Sequence, residues 1–266
     1  MEIIGYICAT LVGISLGLLG SGGSILTVPI MVYLLHVNAV DATGYSLFVV
    51  GFTSAIGAIK YVNRNMVVLR TAFIFAVPSI ISVFLTRKFL MPAIPNPVFA
   101  NSNFILSKEL FILLLFAMLM VVAGYTMIRK AKYKEHEESG IHNYNFVLLI
   151  LIGFACGLLT GIVGVGGGFI IIPALVLFAD IPVKMSVGTS LLIIAANSFI
   201  GFAGEVLERS EAIDYKFLLL FSLFSITGIF VGFRMVTKIP PSQLRTLFGW
   251  FVLITGICIF VKEIFM

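Results

Sequence analysis

Charge is what this sequence has least of. Asp, Glu, Lys and Arg make up 11% of its 266 residues, hydrophobic residues make up 60%, and the mean hydropathy is +1.15. Soluble domains carry about 25% charge, so a water-soluble globular class is excluded. No acidic residue sits in the middle of a long apolar run: Asp41, Asp180, Glu205, Glu208, Glu211 and Asp214 all fall at run ends or between runs. That excludes the intramembrane carboxylate relay of a proton pump. Cysteine is scarce as well. Cys8, Cys156 and Cys258 are odd in number and lie within apolar runs, which excludes a disulfide framework and reads as small hydrophobes in a lipid phase. The chain opens Met1-Glu2 without a basic n-region, so its first apolar run is expected to be a retained span and not a cleaved signal.

The apolar runs are continuous, with no alternation of apolar and polar residues over ~10-residue segments, so the spans are helices and not barrel strands. The expected fold is all-α: a polytopic membrane protein. Segments are predicted at 3–19, 25–36, 42–60, 66–86 and 109–128, and again at 146–163, 169–179, 185–204, 216–236 and 243–261. A charged linker with Arg129, Lys130, Lys132, Lys134, Glu135, Glu137 and Glu138 separates the two sets. The domain reading is therefore a first transmembrane repeat over 1–128, a cytoplasmic linker over 129–143 and a second repeat over 144–266. His136 and His142 flank the linker without further ligands, and are read as solvated residues, not a metal pair. The segment 91–107 holds Pro92, Pro95 and Pro97 and is expected to run along the membrane surface without spanning it.

What the sequence does have is glycine in a repeated order. The run from Gly157 to Pro173 reads Gly-Leu-Leu-Thr-Gly-Ile-Val-Gly-Val-Gly-Gly-Gly-Phe-Ile-Ile-Ile-Pro. Displaced by 144 positions, Gly161, Gly164, Gly166, Gly167 and Pro173 fall on Gly17, Gly20, Gly22, Gly23 and Pro29, so the protein reads as two copies of one unit. A single helix from Ile3 to Leu35 would be about 50 Å long, against a hydrocarbon core of ~30 Å, so the stretch must break. The clusters at 20–24 and 164–168 are where that break is expected, since glycine weakens a helix and tolerates left-handed conformations. The short segments that follow are about half a membrane long. Gly-interrupted segments at matching places in two repeats point to a transporter's binding site, and half-helix N-termini suit an anion. Gly13 with Gly17, and Gly157 with Gly161, have the spacing of close helix packing and are read as that.

Other site chemistries find no support. Gly167-Gly168-Phe169 lacks the lysine of a phosphate-binding loop, and the flanks offer no βαβ unit for a dinucleotide. No cluster of nucleophile, base or metal ligands falls within the spans, so neither an enzyme nor a non-transport scaffold is expected. The net charge of +5 comes from inter-span loops, so no nucleic-acid partner is expected. Lys60, Arg64, Arg70 and Arg234 near span ends read as interface anchors that could also draw anions to a vestibule. In the third segment of each copy Ser46 and Thr53, like Ser190 and Asn197, stand seven apart on one helix face, and Thr189 lies beside them. They either hydrogen-bond between helices or line a polar path. The candidate substrate-binding set is Gly22, Gly23, Ser24, Ser46, Gly166, Gly167, Gly168, Thr189, Ser190 and Asn197, with no metal.

The paired glycine runs, Gly17-Leu-Leu-Gly-Ser-Gly-Gly-Ser24-x4-Pro29 and Gly157 to Pro173, together with Val187-Gly188-Thr189-Ser190-Leu191, resemble the sulfite exporter TauE/SafE family, also called the sulfonate uptake permease family. The likeness covers nearly the whole chain. It implies a bacterial inner-membrane permease for sulfite, sulfonates or related sulfur anions, with no cofactor. Sulfite or organosulfonate export is the first reading, and an uptake permease or channel for another small anion the alternative. Ser21 and Ser24 stand where the family commonly has glycine, so the two half-sites are chemically unequal. The expected partners are the small anionic substrate and the lipid bilayer, and the oligomeric state stays open.

Charge distribution gives a test. If the copies are inverted, eleven of the 17 Lys and Arg residues share one side with the linker, and if parallel, ten do. Both place the linker in the cytoplasm. Inversion is preferred because it lets the two glycine breaks face each other near the midplane, and it predicts both termini outside. A reporter that works only in the cytoplasm should be active when inserted in the linker and silent when fused after Met266, whereas activity after Met266 would mean parallel copies.

Overall fold

Helix α1 (Glu2–Leu19) stops at Gly20, whose φ of +70° is a conformation side chains disfavour. In this computed structural model residues 2–20, 22–101, 104–129, 146–164, 168–179, 181–208, 213–236 and 241–265 are described. Past Gly20 the chain winds again as α2 (Ser24–Leu34), opening in a 3-10 turn over Gly22–Leu26 and closing in a π turn over Ile30–Leu34. His36, at φ 56°, ends it in the left-handed conformation. The Asn38 side chain then accepts the Val40 N–H at 2.8 Å and caps α3 (Ala39–Val62). Asp41 in the first turn and Lys60 in the last complement the dipole of α3. α4 (Leu69–Ala93) continues through Pro78 and a π turn over Thr86–Leu90. A short antiparallel hairpin, β1 (Phe99–Asn101) with β2 (Phe104–Leu106), leads into α5 (Lys108–Arg129).

The second half repeats this order without a hairpin among the described residues. α6 (Phe146–Val163) stops at Gly164, φ +74°, and is followed by α7 (Gly168–Phe178), α8 (Val183–Glu208), α9 (Tyr215–Val236) and α10 (Pro241–Phe265). Helices α3, α4, α5, α6, α8 and α9 are long and apolar enough to cross a membrane. The described residues are thus all-helical apart from β1 and β2, which pair antiparallel with Phe99 opposite Leu106 and Asn101 opposite Phe104. Segment 91–107, expected to run along the membrane surface without spanning it, holds the end of α4 and the strands β1 and β2. The larger departure is at α4 itself. Its end was expected at 86, before the cations Arg87 and Lys88, yet the helix runs to Ala93 because Arg87 turns inward to a partner. Of the linker only Arg129 is described; Lys130 to Asn143, with both histidines, lie outside the described residues.

Helices of the two halves interleave. α1 lies along α9, α6 along α4, α3 crosses α8 and α5 crosses α10. Glycines set these approaches, and the atoms an added Cβ would strike give the directions. On α1, Gly13 faces the Ser225 backbone and Gly17 faces Ile229 and Gly232, so α1 and α9 run parallel. On α6, Gly153 faces Phe75, Gly157 faces Ser79 and Gly161 faces Thr86, so α6 and α4 do too. In contrast Gly44 meets Glu205 and Gly57 meets Leu191, so α3 and α8 are antiparallel. Gly124 on Gly249, with Gly256 on Met120 and Ala117, makes α5 and α10 antiparallel as well. Packing of backbone on backbone is how helices associate where lipid removes the hydrophobic drive.

Both half-helices are enclosed. Ile25, Val28 and Met31 of α2 pack with Ala42, Tyr45 and Val49 of α3 and with Ile162 and Val163 of α6. Ile171, Ala174 and Leu175 of α7 pack with Phe75 of α4 and Ile193 and Ile194 of α8. Side chains such as Phe73, Val77, Val147 and Leu151 face outward from α4 and α6, as lipid contact requires.

The α1–α9 seam should therefore reject side chains. Gly228→Leu would drive its Cβ into the Thr10 carbonyl, and is expected to cost about 1–3 kcal/mol and lower the melting temperature in detergent. Gly5→Ala meets only the end of the Leu35 side chain, which can move, and should leave the melting temperature nearly unchanged. Equal effects of the two would contradict the seam.

Candidate functional site

Each glycine break is closed by the third helix of the other half. A Cβ on Gly20 would strike Val187 of α8, and one on Gly164 would strike the backbone of Thr43 of α3. Positions 43 and 187 are themselves 144 apart. Gly22 and Gly23 open the 3-10 turn over Gly22–Leu26 that leads into α2, with Ser24 fully buried beside them, and that turn lies against α7. Gly168 opens α7, while Gly166 and Gly167 lie outside the described residues. The opening turns of α2 and α7 have backbone N–H groups without intrahelical partners and carry the positive ends of the helix dipoles, which favour an anion.

The polar residues of α3 and α8 do not form one cluster. Because the helices cross antiparallel, Gly44 sits at Glu205 and Gly57 at Leu191, about 20 Å apart along α3 at ~1.5 Å per residue. Ser46 belongs to the first end, with the Gly164 break. Thr189 and Ser190 belong to the second, with the Gly20 break. Thr53 and Asn197 lie between. The expected set therefore divides into two half-sites, each made of one break and the third helix of the other half.

Hydrogen bonding separates these residues further. Thr189 Oγ1 accepts the Val68 N–H at 3.0 Å, tying α8 to the residue that precedes α4. Ser190 donates to Val187 O at 2.8 Å and Thr53 to Val49 O at 2.7 Å, both within their own helices. Asn197 Nδ2 donates to Ser79 Oγ at 2.7 Å, joining α8 to α4, and its Oδ1 has no partner among the described residues. Ser46, Ser54, Ser82, Thr160 and Ser198 are buried, and their hydroxyls have no partner among the described residues. Such groups are costly in a lipid-facing fold and mark a polar interior. Of the basic anchors, Lys60 Nζ lies 4.3 Å from the Phe233 ring centroid and the Arg70 guanidinium 5.6 Å from that of Phe146.

Arg87 was not singled out from the sequence. Its side chain is 0% exposed, and Nη1 donates to Glu205 Oε2 at 2.8 Å and to Thr43 Oγ1 at 3.1 Å. Nε and Nη2 have no partner among the described residues. Glu205, placed at a span end as expected, is 13% exposed and held in this pair. The cation thus stands against Thr43, the residue that covers the Gly164 break. The available signal was the apolar run Phe89-Leu90-Met91 that resumes just after it.

Residues 6–259 match the family model described as "Sulfite exporter TauE/SafE". A "Probable membrane transporter protein" of Xylella fastidiosa (strain 9a5c) is 30% identical over 255 residues, 93% of this chain and 90% of that one. The "Probable membrane transporter protein YdhB" of Bacillus subtilis (strain 168) is 25% identical, over 89% of this chain and 91% of that one. The "Probable membrane transporter protein MJ0441" of Methanocaldococcus jannaschii is 35% identical over 41% of this chain and 43% of that one. The spanning helices and the nearly full-length match lead to one conclusion: the chain is a multi-pass membrane protein and belongs to the sulfite exporter TauE/SafE family of membrane transporters.

Proposed function

We propose that this protein is a secondary transporter or facilitator of a small sulfur-containing oxyanion, exporting sulfite or an organosulfonate across a bacterial inner membrane. The observation that carries the reading is the pair of half-helices that begin inside the protein, each after a left-handed glycine covered by the other half's third helix. Broken backbone is tolerated at membrane depth only where protein or a polar cavity satisfies it, and free N–H groups at such starts are ready-made anion donors. On this reading Gly22, Gly23 and Ser24, with Thr189 and Ser190, form one half-site. Gly166, Gly167 and Gly168, with Ser46, form the other, and Asn197 lies on the path between them.

The two copies are read as inverted. Helices that correspond in order, α3 with α8 and α5 with α10, run antiparallel, which supports opposite orientations in the membrane. Inverted repeats around a shared path permit alternating access by rocking one unit against the other.

Flux through proteoliposomes decides the substrate class. Sulfite, sulfate, thiosulfate, sulfoacetate and taurine should be compared with phosphate and acetate at equal gradients. At least one sulfur anion should move faster than both comparison anions, and Gly23→Val should remove that flux, because a β-branched side chain blocks approach to the first turn of α2. Absence of flux for every sulfur anion would overturn the reading.

A further inference from the structure

A guanidinium holds five N–H donors in a rigid plane, and Nε with Nη2 presents a side-on fork matched to two oxygens on one centre. Among the described residues Nη1 is the only Arg87 nitrogen engaged, and it serves both Glu205 and Thr43. Glu205 is reached through Oε2 alone, so the pair is not bidentate. The side-on fork is fully buried and unpartnered among the described residues. As a device for stability this is poor, because a buried ion pair with unsatisfied donors is commonly matched or bettered by apolar residues of similar volume.

Small and hydroxyl-bearing residues surround the Arg87 side chain. Gly204 brings α8 against the base of the Arg87 side chain, where an added Cβ would lie 3.1 Å from Arg87 Cβ. Gly44 of α3 does the same beside Glu205, where a Cβ would lie 3.1 Å from Cγ and Cδ. Thr43 links the guanidinium to the Gly164 break, and Thr86, next to Arg87 in sequence, packs on Gly161 of α6. Ser82, five residues before Arg87 on α4, and Thr160, beside Gly161 on α6, carry buried hydroxyls with no partner among the described residues.

We propose that Arg87 is the cation that binds the transported anion, taking two of its oxygens on Nε and Nη2, and that Glu205 is a displaceable counter-ion that holds the guanidinium between transport events. The proposal rests on the anion-transport reading given above and adds a charged residue to a site otherwise made of neutral donors. It requires only an oxyanion with two oxygens on one atom, as sulfite, sulfonate, phosphate and carboxylate all have. The incoming anion competes with Glu205 for the guanidinium, so the carboxylate sets affinity and allows release.

The test is thermal stabilisation of the purified, full-length protein in detergent by sulfite, sulfate, sulfoacetate, phosphate and acetate at constant ionic strength. The native protein should be stabilised by at least one of them, and Arg87→Gln should weaken that binding at least about tenfold, as loss of a charge-assisted fork requires. Glu205→Gln keeps an acceptor but removes the competing charge, and should tighten binding about tenfold. The paired variant Arg87→Met with Glu205→Met leaves no unpaired buried charge and should fold without binding. If the Arg87 variants do not fold, Glu205→Gln decides alone: unchanged or weaker binding overturns the proposal. Anion binding that survives in either Arg87 variant overturns it too, as does a native protein that no anion stabilises. The two readings fail separately. Stabilisation by phosphate or acetate alone, lost with Arg87, sinks the sulfur substrate and keeps the Arg87 site. Sulfur-anion flux with binding indifferent to Arg87 keeps the substrate and sinks the site.

Discussion

Backbone polar groups have no partners in hydrocarbon, and this constraint organises the molecule. An apolar stretch too long for one crossing must break, and the break must be covered. Here the cover comes from the other half of the chain: α8 closes the break after α1, and α3 closes the break after α6. To bring them there, α1 must lie parallel against α9 and α6 against α4, at separations only glycine permits. The glycines at 13, 17, 157 and 161 are thus structural, and they set where the breaks at Gly20 and Gly164 fall.

The two breaks are covered alike but charged differently. Arg87 stands beside the second. The position 144 residues on is Val231, which is 45% exposed on the outside of α9. Glu205 has Tyr61 as its counterpart, lying on Gly188 as Glu205 lies on Gly44. The two ends thus share their glycine packing but differ in the Arg87–Glu205 ion pair.

Much of this was legible from residues alone. The break positions, the half-length of α2 and α7, and the packing role of Gly13, Gly17, Gly157 and Gly161 follow from helix length against bilayer thickness and from the 144-residue repeat. Two features were not legible. Seven-residue spacing placed Ser46 with Thr53 and Ser190 with Asn197 on common faces, but only the antiparallel crossing of α3 and α8 assigns Ser46 and Ser190 to opposite ends. Arg87 was missed because hydropathy treats a cation as a boundary. Its burial depends on Glu205, 118 residues away, and no local pattern carries that pairing. Lys88, the next residue, behaves as the boundary rule expects and lies 5.4 Å from the Phe89 ring centroid.

The central claim is that a covered helix break and a buried arginine together make the anion site. An experimental map of the protein soaked with selenite, whose heavy central atom marks a sulfite-like ion, tests it most directly. The account predicts selenium density on the Nε–Nη2 side of Arg87, beside Thr43 and the end of α6, with the Glu205 carboxylate moved off the guanidinium. Selenium bound elsewhere, with the Arg87–Glu205 pair intact, would contradict it.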